Sequence, residues 1–282
     1  MDSERYDFSS VDKIVDHCTD PRCDDETGCK DICRRKGDMY DPHGRQPWTI
    51  WPDGGEFENV QTPDLIEELR EAPPGRDIIK RQRWGRVLVA NQLPGLPSIQ
   101  TESNLEFNFA LHMWLDPDVR QFGEQPQTLT LVCSGKSTLY TPDFWVDRKG
   151  TLFYVEVKPE EMLADPIVEE RHYQANRHLA RDNIQFVVIT DRMINDAIPL
   201  RNAQLIYRYR QCPHDTLQLD KMRAFLGEDM KPFGAVEKQL GGIIFRAYIF
   251  RAMLTKHIGY MPQVPITPHA PIWWRNSDRR RS

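Results

Sequence analysis

The chain has 282 residues and a mass of 33.0 kDa, with 39% hydrophobic and 28% charged residues, seven Trp and twelve Phe. That apolar share is enough for a real core and excludes wholesale disorder, no run reaches the roughly 18 apolar residues of a membrane span, and six Cys are too few for a disulfide scaffold. The net charge of −5 is uneven: residues 1–95 and 96–212 are net acidic, whereas 213–282 carry 11 Lys and Arg against 6 Asp and Glu and close on Arg279-Arg280-Arg281. The chain as a whole is therefore no general polyanion binder, and any such role falls to its C-terminal piece. The polar, acidic opening lacks the basic start and apolar core of a signal peptide, so a soluble protein of the reducing cytoplasm with no membrane partner is expected.

The first 95 residues are punctuated by Pro and Gly, as in Pro73-Pro74-Gly75 and Leu93-Pro94-Gly95. One helix is predicted at Pro63–Ala72, with Thr62 as N-cap and Pro63 in the first helical position, and a short strand at Arg86–Ala90. From Thr101 the texture changes. Helical spacing covers Glu102–Leu115 and stops at Asp116-Pro117-Asp118. Strand-like runs follow at Val119–Glu124, Thr128–Val132, Thr138–Val146 and Leu152–Val157, the last two joined by a turn at Asp147–Gly150. A charged helix at Ile167–Arg181 and a buried strand at Gln185–Thr190 complete an α/β pattern: helix, antiparallel meander, helix, strand, on a mixed sheet. Three helices are predicted beyond Gln211, at Thr216–Leu226, Ala235–Leu240 and Ile243–His257, then two short strands at Tyr260–Ile266 and Pro271–Trp274. Three helices followed by a hairpin is the order of a winged helix.

The chemistry concentrates in Thr141-Pro142-Asp143-Phe144 and Val155-Glu156-Val157-Lys158. A strand, a tight turn and a return strand fit between Asp143 and Glu156, so a hairpin brings the two carboxylates within reach of one cation. Glu156 and Lys158 are two apart on a strand and share a face, while Val157 points into the core. Two carboxylates and an amine suit a divalent metal such as magnesium, which takes oxygen ligands and keeps several waters. Asp143 and Glu156 would hold it, with the backbone carbonyl of Val157 as a further ligand. Lys158 would orient or deprotonate a water, or contact a phosphate, and a burial-lowered pKa would serve the proton-taking role. Glu106 is the further carboxylate upstream, and Glu102, one helical turn before it, is expected on the same helix face. The ordinary alternative is an edge hairpin with a surface ion pair between Glu156 and Arg148 or Lys149.

These residues resemble the PD-(D/E)xK nuclease superfamily, and within it the TnsA endonuclease subunits of heteromeric transposases. The text that carries the resemblance is SNLE at 103–106, GEQP at 123–126, TPDF at 141–144, EVKP at 156–159, EERHYQ at 169–174 and FVVITD at 186–191. It implies a restriction-endonuclease-like α/β core, a mixed sheet flanked by helices, over 96–212, followed by a basic, mainly helical winged-helix-like domain over 213–282. Residues 1–95 match nothing in the family and stand as an extension of unknown role. Carried over by position, the catalytic and metal-binding set is Glu106, Asp143, Glu156 and Lys158. The implied activity is Mg²⁺-dependent hydrolysis of DNA at the 5′ ends of a transposon, with Mn²⁺ able to substitute. The implied partners are transposon-end DNA, a DDE-type transposase subunit and an AAA+ regulator ATPase. A stand-alone nuclease of restriction, repair or phage type on the same fold is the alternative within enzymes, and a non-catalytic adaptor bridging transposase and regulator is the alternative outside them.

Two smaller patterns remain. Cys18, Cys23, Cys29 and Cys33 cluster beside His17 in a Cys-rich extension, and a structural Zn²⁺ is a candidate there, although no C-x2-C knuckle is present. Arg246, Arg251 and Lys256 fall on the last predicted helix and are the candidate DNA contacts of the basic domain.

Overall fold

The computed structural model describes Trp51 and residues 63–71, 88–90 and 99–275. The Cys cluster at 18–33 lies outside the described residues. The described residues fall into two compact units, one up to Asp196 and one from Ala197 onward. The second unit thus begins ahead of the expected boundary at 213.

The first unit opens with α1 (Pro63–Glu71), β1 (Leu88–Ala90), β2 (Ile99–Thr101) and α2 (Asn104–Leu115). It continues through β3 (Val119–Glu124), β4 (Leu129–Cys133), β5 (Lys136–Tyr140), β6 (Phe144–Arg148) and β7 (Thr151–Lys158). A 3-10 turn leads into α3 (Pro166–Leu179), then β8 (Gln185–Thr190) and α4 (Asp191–Ile194). The main sheet has the order β3-β6-β7-β8, antiparallel except for the parallel β7–β8 pair, so it is the mixed sheet expected. It is not a simple meander. The predicted strand 138–146 breaks at Thr141-Pro142-Asp143, because a proline has no N–H to give a ladder. As a result β4 and β5 pair only with each other, as a separate ribbon, and β3 pairs directly with β6.

Side-chain alternation assigns the two faces of the sheet. On one face Trp145, Leu152 and Tyr154 join Leu129, Leu131 and Tyr140 of the ribbon, Ala175 and Leu179 of α3, and Ile66 and Leu69 of α1. On the other, Phe109 of α2 packs on Phe144 of β6 with ring centroids 4.9 Å apart. The β6–β7 hairpin closes through Lys149 at φ 56 and Gly150 at φ 88, two left-handed residues of the kind that match strand twist. Asp147 Oδ1 accepts the Gly150 N–H at 2.8 Å and holds the turn.

The second unit runs α5 (Ala197–Arg208), α6 (Thr216–Leu226), β9 (Met230–Pro232), α7 (Phe233–Leu240), α8 (Arg246–Leu254), β10 (Ile258–Tyr260) and β11 (Pro271–Trp274). Its antiparallel sheet has the order β10-β11-β9. Helix α5 was not predicted: its buried Ala203, Leu205 and Ile206 form a short run flanked by Arg201 and Arg208, and Pro199 obscures its start. The predicted helix over 243–257 shortens to α8, because Ile243–Phe245 forms a 3-10 turn and Lys256 adopts φ 63.

Candidate active site

The register Phe144↔Val155 and Trp145↔Tyr154, extended by one step, sets Asp143 opposite Glu156. The sequence expectation that the hairpin unites them therefore holds. Asp143 is partly buried, and its Oδ2 accepts the backbone N–H of Val157 at 2.8 Å. Its own carbonyl accepts the N–H of Gln125 at 2.8 Å, which ties the Asp143 backbone to the end of β3. Glu156 is buried at 4% exposure. Its Oε1 accepts from Lys158 Nζ at 2.8 Å and its Oε2 from the Tyr140 hydroxyl at 2.7 Å. The edge-hairpin alternative fails here, because Arg148 and Lys149 pair with Asp116 and Asp118 instead.

Glu106 lies in the first turn of α2 and caps it. Ser103 Oγ accepts the Glu106 N–H at 3.1 Å and donates to Glu106 Oε1 at 2.8 Å, while Glu106 Oε2 accepts the Glu102 N–H at 2.7 Å. Glu102 precedes the Ser103 cap and is exposed, so it is not the second carboxylate of a helix face that the spacing suggested. The Ser-x-x-Glu text at 103–106 is thus a capping box in the structure, and Glu106 is the candidate site carboxylate that it fixes.

The electrostatics bind the three carboxylates together. Burial pushes the Asp143 carboxyl well above the ordinary aspartate value, and the charges of Glu156 and Glu106 add to the rise. Burial likewise raises Glu106, against the hydrogen bonds of its cap, and the charges of Glu102 and Glu156 contribute. Such mutual destabilisation of buried like charges is relieved by a cation. Burial alone would lower the Lys158 ammonium, but the charge and hydrogen bond of Glu156 and the charge of Asp143 outweigh it and hold its pKa above the ordinary value. The burial-lowered amine expected from the sequence is not found: the carboxylates beside Lys158 favour its charged form.

Among the described residues, no group of three or more His, Cys, Asp or Glu side chains is disposed as a ready metal cage. The donor chemistry nonetheless fits a hard divalent ion. Asp143 and Glu156 offer carboxylate oxygens, and magnesium commonly uses one or two carboxylates together with waters and substrate phosphate.

Sequence reasoning missed two neighbours. Tyr140 reads as the core end of a strand, and nothing short of the ribbon's return to Glu156 reveals its hydroxyl. His172, whose Nε2 lies 4.0 Å from Glu156 Oε1, was legible: Val168, Ala175 and Leu179 mark the buried stripe of α3, and residue 172 falls on it. Burial lowers the His172 pKa, against the pull of Glu156.

The candidate DNA contacts are placed differently from expectation. Arg251 is 5% exposed and donates to the Arg210 carbonyl at 3.1 Å, so its guanidinium serves the interior of the second unit. Arg246 Nε lies 2.7 Å from Glu237 Oε2, which neutralises it. Lys256 is partly exposed just beyond α8. Cys133 and Cys212 are free thiols.

Residues 116–191 match the family model of the TnsA-like endonuclease N terminal domain. The match runs from the end of α2 into α4 and contains Asp143, Glu156 and Lys158, with Glu106 upstream of it. It supports a TnsA-like nuclease. No curated protein matches the chain. No helix among the described residues is long and apolar enough to cross a membrane.

Proposed function

We propose that this chain is the DNA endonuclease subunit of a heteromeric transposase, hydrolysing phosphodiesters at the 5′ ends of the element. The observation that carries the reading is the convergence of Asp143, Glu156 and the Lys158 ammonium, coupled electrostatically to Glu106, on the segment that matches the TnsA-like domain. Asp143 and Glu156, with Glu106 and the Val157 carbonyl, would hold Mg²⁺, for which Mn²⁺ would substitute. When bound, the ion supplies an activated water and neutralises charge on phosphate oxygens. Lys158 directs a positive charge at the phosphate as negative charge develops there. The Val157 N–H keeps the Asp143 carboxylate oriented before substrate arrives. Products would carry 5′-phosphate and 3′-hydroxyl ends.

From α6 onward the second unit supports a winged-helix-like reading by its order: helix, strand, two helices and two strands, with β9 pairing on β11. Its role would be to contact DNA or the partner subunits, a DDE-type transposase and an AAA+ ATPase. The acidic net charge of the chain fits an enzyme that gains much of its DNA affinity from such partners.

The test is a duplex carrying a transposon end, labelled on each strand and incubated with Mg²⁺ or Mn²⁺, with and without the neighbouring transposase. Cleavage of the strand bearing the element's 5′ end, dependent on the partner and lost in Asp143→Ala and Lys158→Ala, is expected. Robust cutting without the partner would favour the stand-alone nuclease. Cutting by either variant at the parent's rate would end the catalytic assignment.

A further inference from the structure

We infer that Tyr140 is a positioning residue of the hydrolytic centre, orienting the Glu156 carboxylate through its hydroxyl for cation binding. The inference rests on the nuclease reading above and deepens it. Tyr140 ends β5, in the ribbon that stands apart from the main sheet, and the chain then passes through Thr141 and Pro142 directly to Asp143. One four-residue stretch therefore delivers both a carboxylate of the site and the group that fixes the other carboxylate. The base of the ribbon is tied by the Thr128 and Thr141 hydroxyls, 2.8 Å apart, and its outer turn by Ser134, whose N–H and Oγ both donate to Glu170 of α3. The ribbon is thus anchored at both ends, and the hydroxyl it presents has a fixed address.

That hydroxyl is buried and donates to Glu156 Oε2 at 2.7 Å, while Lys158 takes Oε1 at 2.8 Å. With one donor on each oxygen, the carboxylate plane is set. Each oxygen keeps a second lone-pair direction for a cation. The ring is 6% exposed and lies beside His172 and Phe186, with centroids 6.5 Å and 6.3 Å away, which restricts its movement. A glutamate without this partner would rotate among its rotamers and lose order each time it met a cation. A hydrogen bond to a charged group outweighs a neutral one, enough for about a tenfold change in an equilibrium when removed.

Tyr140→Phe tests this, because it removes the oxygen and keeps the ring. Mn²⁺ is titrated calorimetrically into the parent and the variant, without DNA. Turnover and KM for a cleavable duplex, with the transposase present, are measured beside it, as is the thermal midpoint. Expected are a Mn²⁺ affinity weaker by about tenfold, a matching fall in kcat, a KM for DNA within about twofold of the parent and a folded variant. In the Glu156→Gln background, Tyr140→Phe should add no more than about twofold, since the hydroxyl acts through that carboxylate. Equal Mn²⁺ affinity in Tyr140→Phe and a binding, active parent would overturn the inference and leave the nuclease reading standing. An equal additional loss in the Glu156→Gln background would assign the hydroxyl some other target and overturn it too. A Tyr140→Phe chain that fails to fold would make the hydroxyl a stability element and also overturn it. A parent that neither binds Mn²⁺ nor cuts would remove the nuclease reading itself, and this inference with it.

Discussion

Lys158 sits 2.8 Å from Glu156 Oε1, and the carboxylates around it keep its ammonium charged. On the nuclease reading a charged Lys158 would act electrostatically. Lys158→Arg, which preserves the charge, should keep cleavage within about tenfold of the parent, whereas Lys158→Met should lose about a hundredfold to a thousandfold, the usual cost of removing one transition-state donor. Single-turnover rates at saturating metal check it; an arginine variant as slow as the methionine variant would return the role of base to Lys158. The residues that bear charge were legible in the sequence because their spacing is short-range: Glu156 and Lys158 are two apart, and Asp143 is one hairpin away. What was not legible was the state of the lysine. Burial and two neighbouring carboxylates act in opposite directions on it, and only distances decide between them.

At the level of the element, the β6–β7 hairpin sets the register that faces Asp143 with Glu156, and its turn depends on Gly150 at φ 88. Gly150→Ala should cost about 1–2 kcal/mol, the penalty of a side chain in the left-handed region, read as a lower urea midpoint with an unchanged slope. Helix α2 carries a second dependence. His112 is 1% exposed, its Nε2–H donates to the Ile194 carbonyl at 2.9 Å, and burial lowers its pKa against the opposing charges of Asp116 and Asp196. The folded chain therefore binds fewer protons here than the unfolded chain below the ordinary histidine value of 6.5. Stability is full above that pH and falls as the medium is acidified through it, by up to about 1.4 kcal/mol per pH unit. His112→Asn should flatten this slope between pH 6.5 and 5, although His172 and His257, lowered in the same direction, leave part of it in place. An unchanged slope in chemical denaturation would contradict the assignment.

Most helices and strands of the described core were readable from period and caps, down to the limits of β3, β8, α6 and β11. The ribbon and the β3–β6 pairing were not, because strand order depends on which strands Pro142 prevents from joining, a non-local outcome. Helix α5 escaped for a local reason: its apolar run is short, flanked by Arg201 and Arg208, and preceded by Pro199.

For the whole molecule, charge and burial divide the labour. The second unit holds the basic surplus in sequence, but the cations of α8 are spent on structure: Arg246 on Glu237, Arg251 on the Arg210 carbonyl. Arg251→Met should therefore cost about 1–3 kcal/mol of stability and change the affinity for DNA by less than twofold. Filter binding across a salt series should give the isolated chain a slope shallower than about −3, the signature of only a few phosphate contacts. A steep slope would mean that the chain grips DNA by itself and would move the account toward a self-sufficient enzyme.

The central claim is that Asp143 and its neighbours form a metal-dependent hydrolytic centre. The measurement that meets it most directly is single-turnover hydrolysis of a transposon-end duplex by the parent and by Asp143→Asn, both shown to be folded, in Mg²⁺, with the transposase present and the product ends identified. Expected are 5′-phosphate and 3′-hydroxyl products from the parent, none in the presence of a chelator, and a loss of at least about a hundredfold in Asp143→Asn. Equal rates for the two proteins, or cleavage that persists without divalent metal, would contradict it.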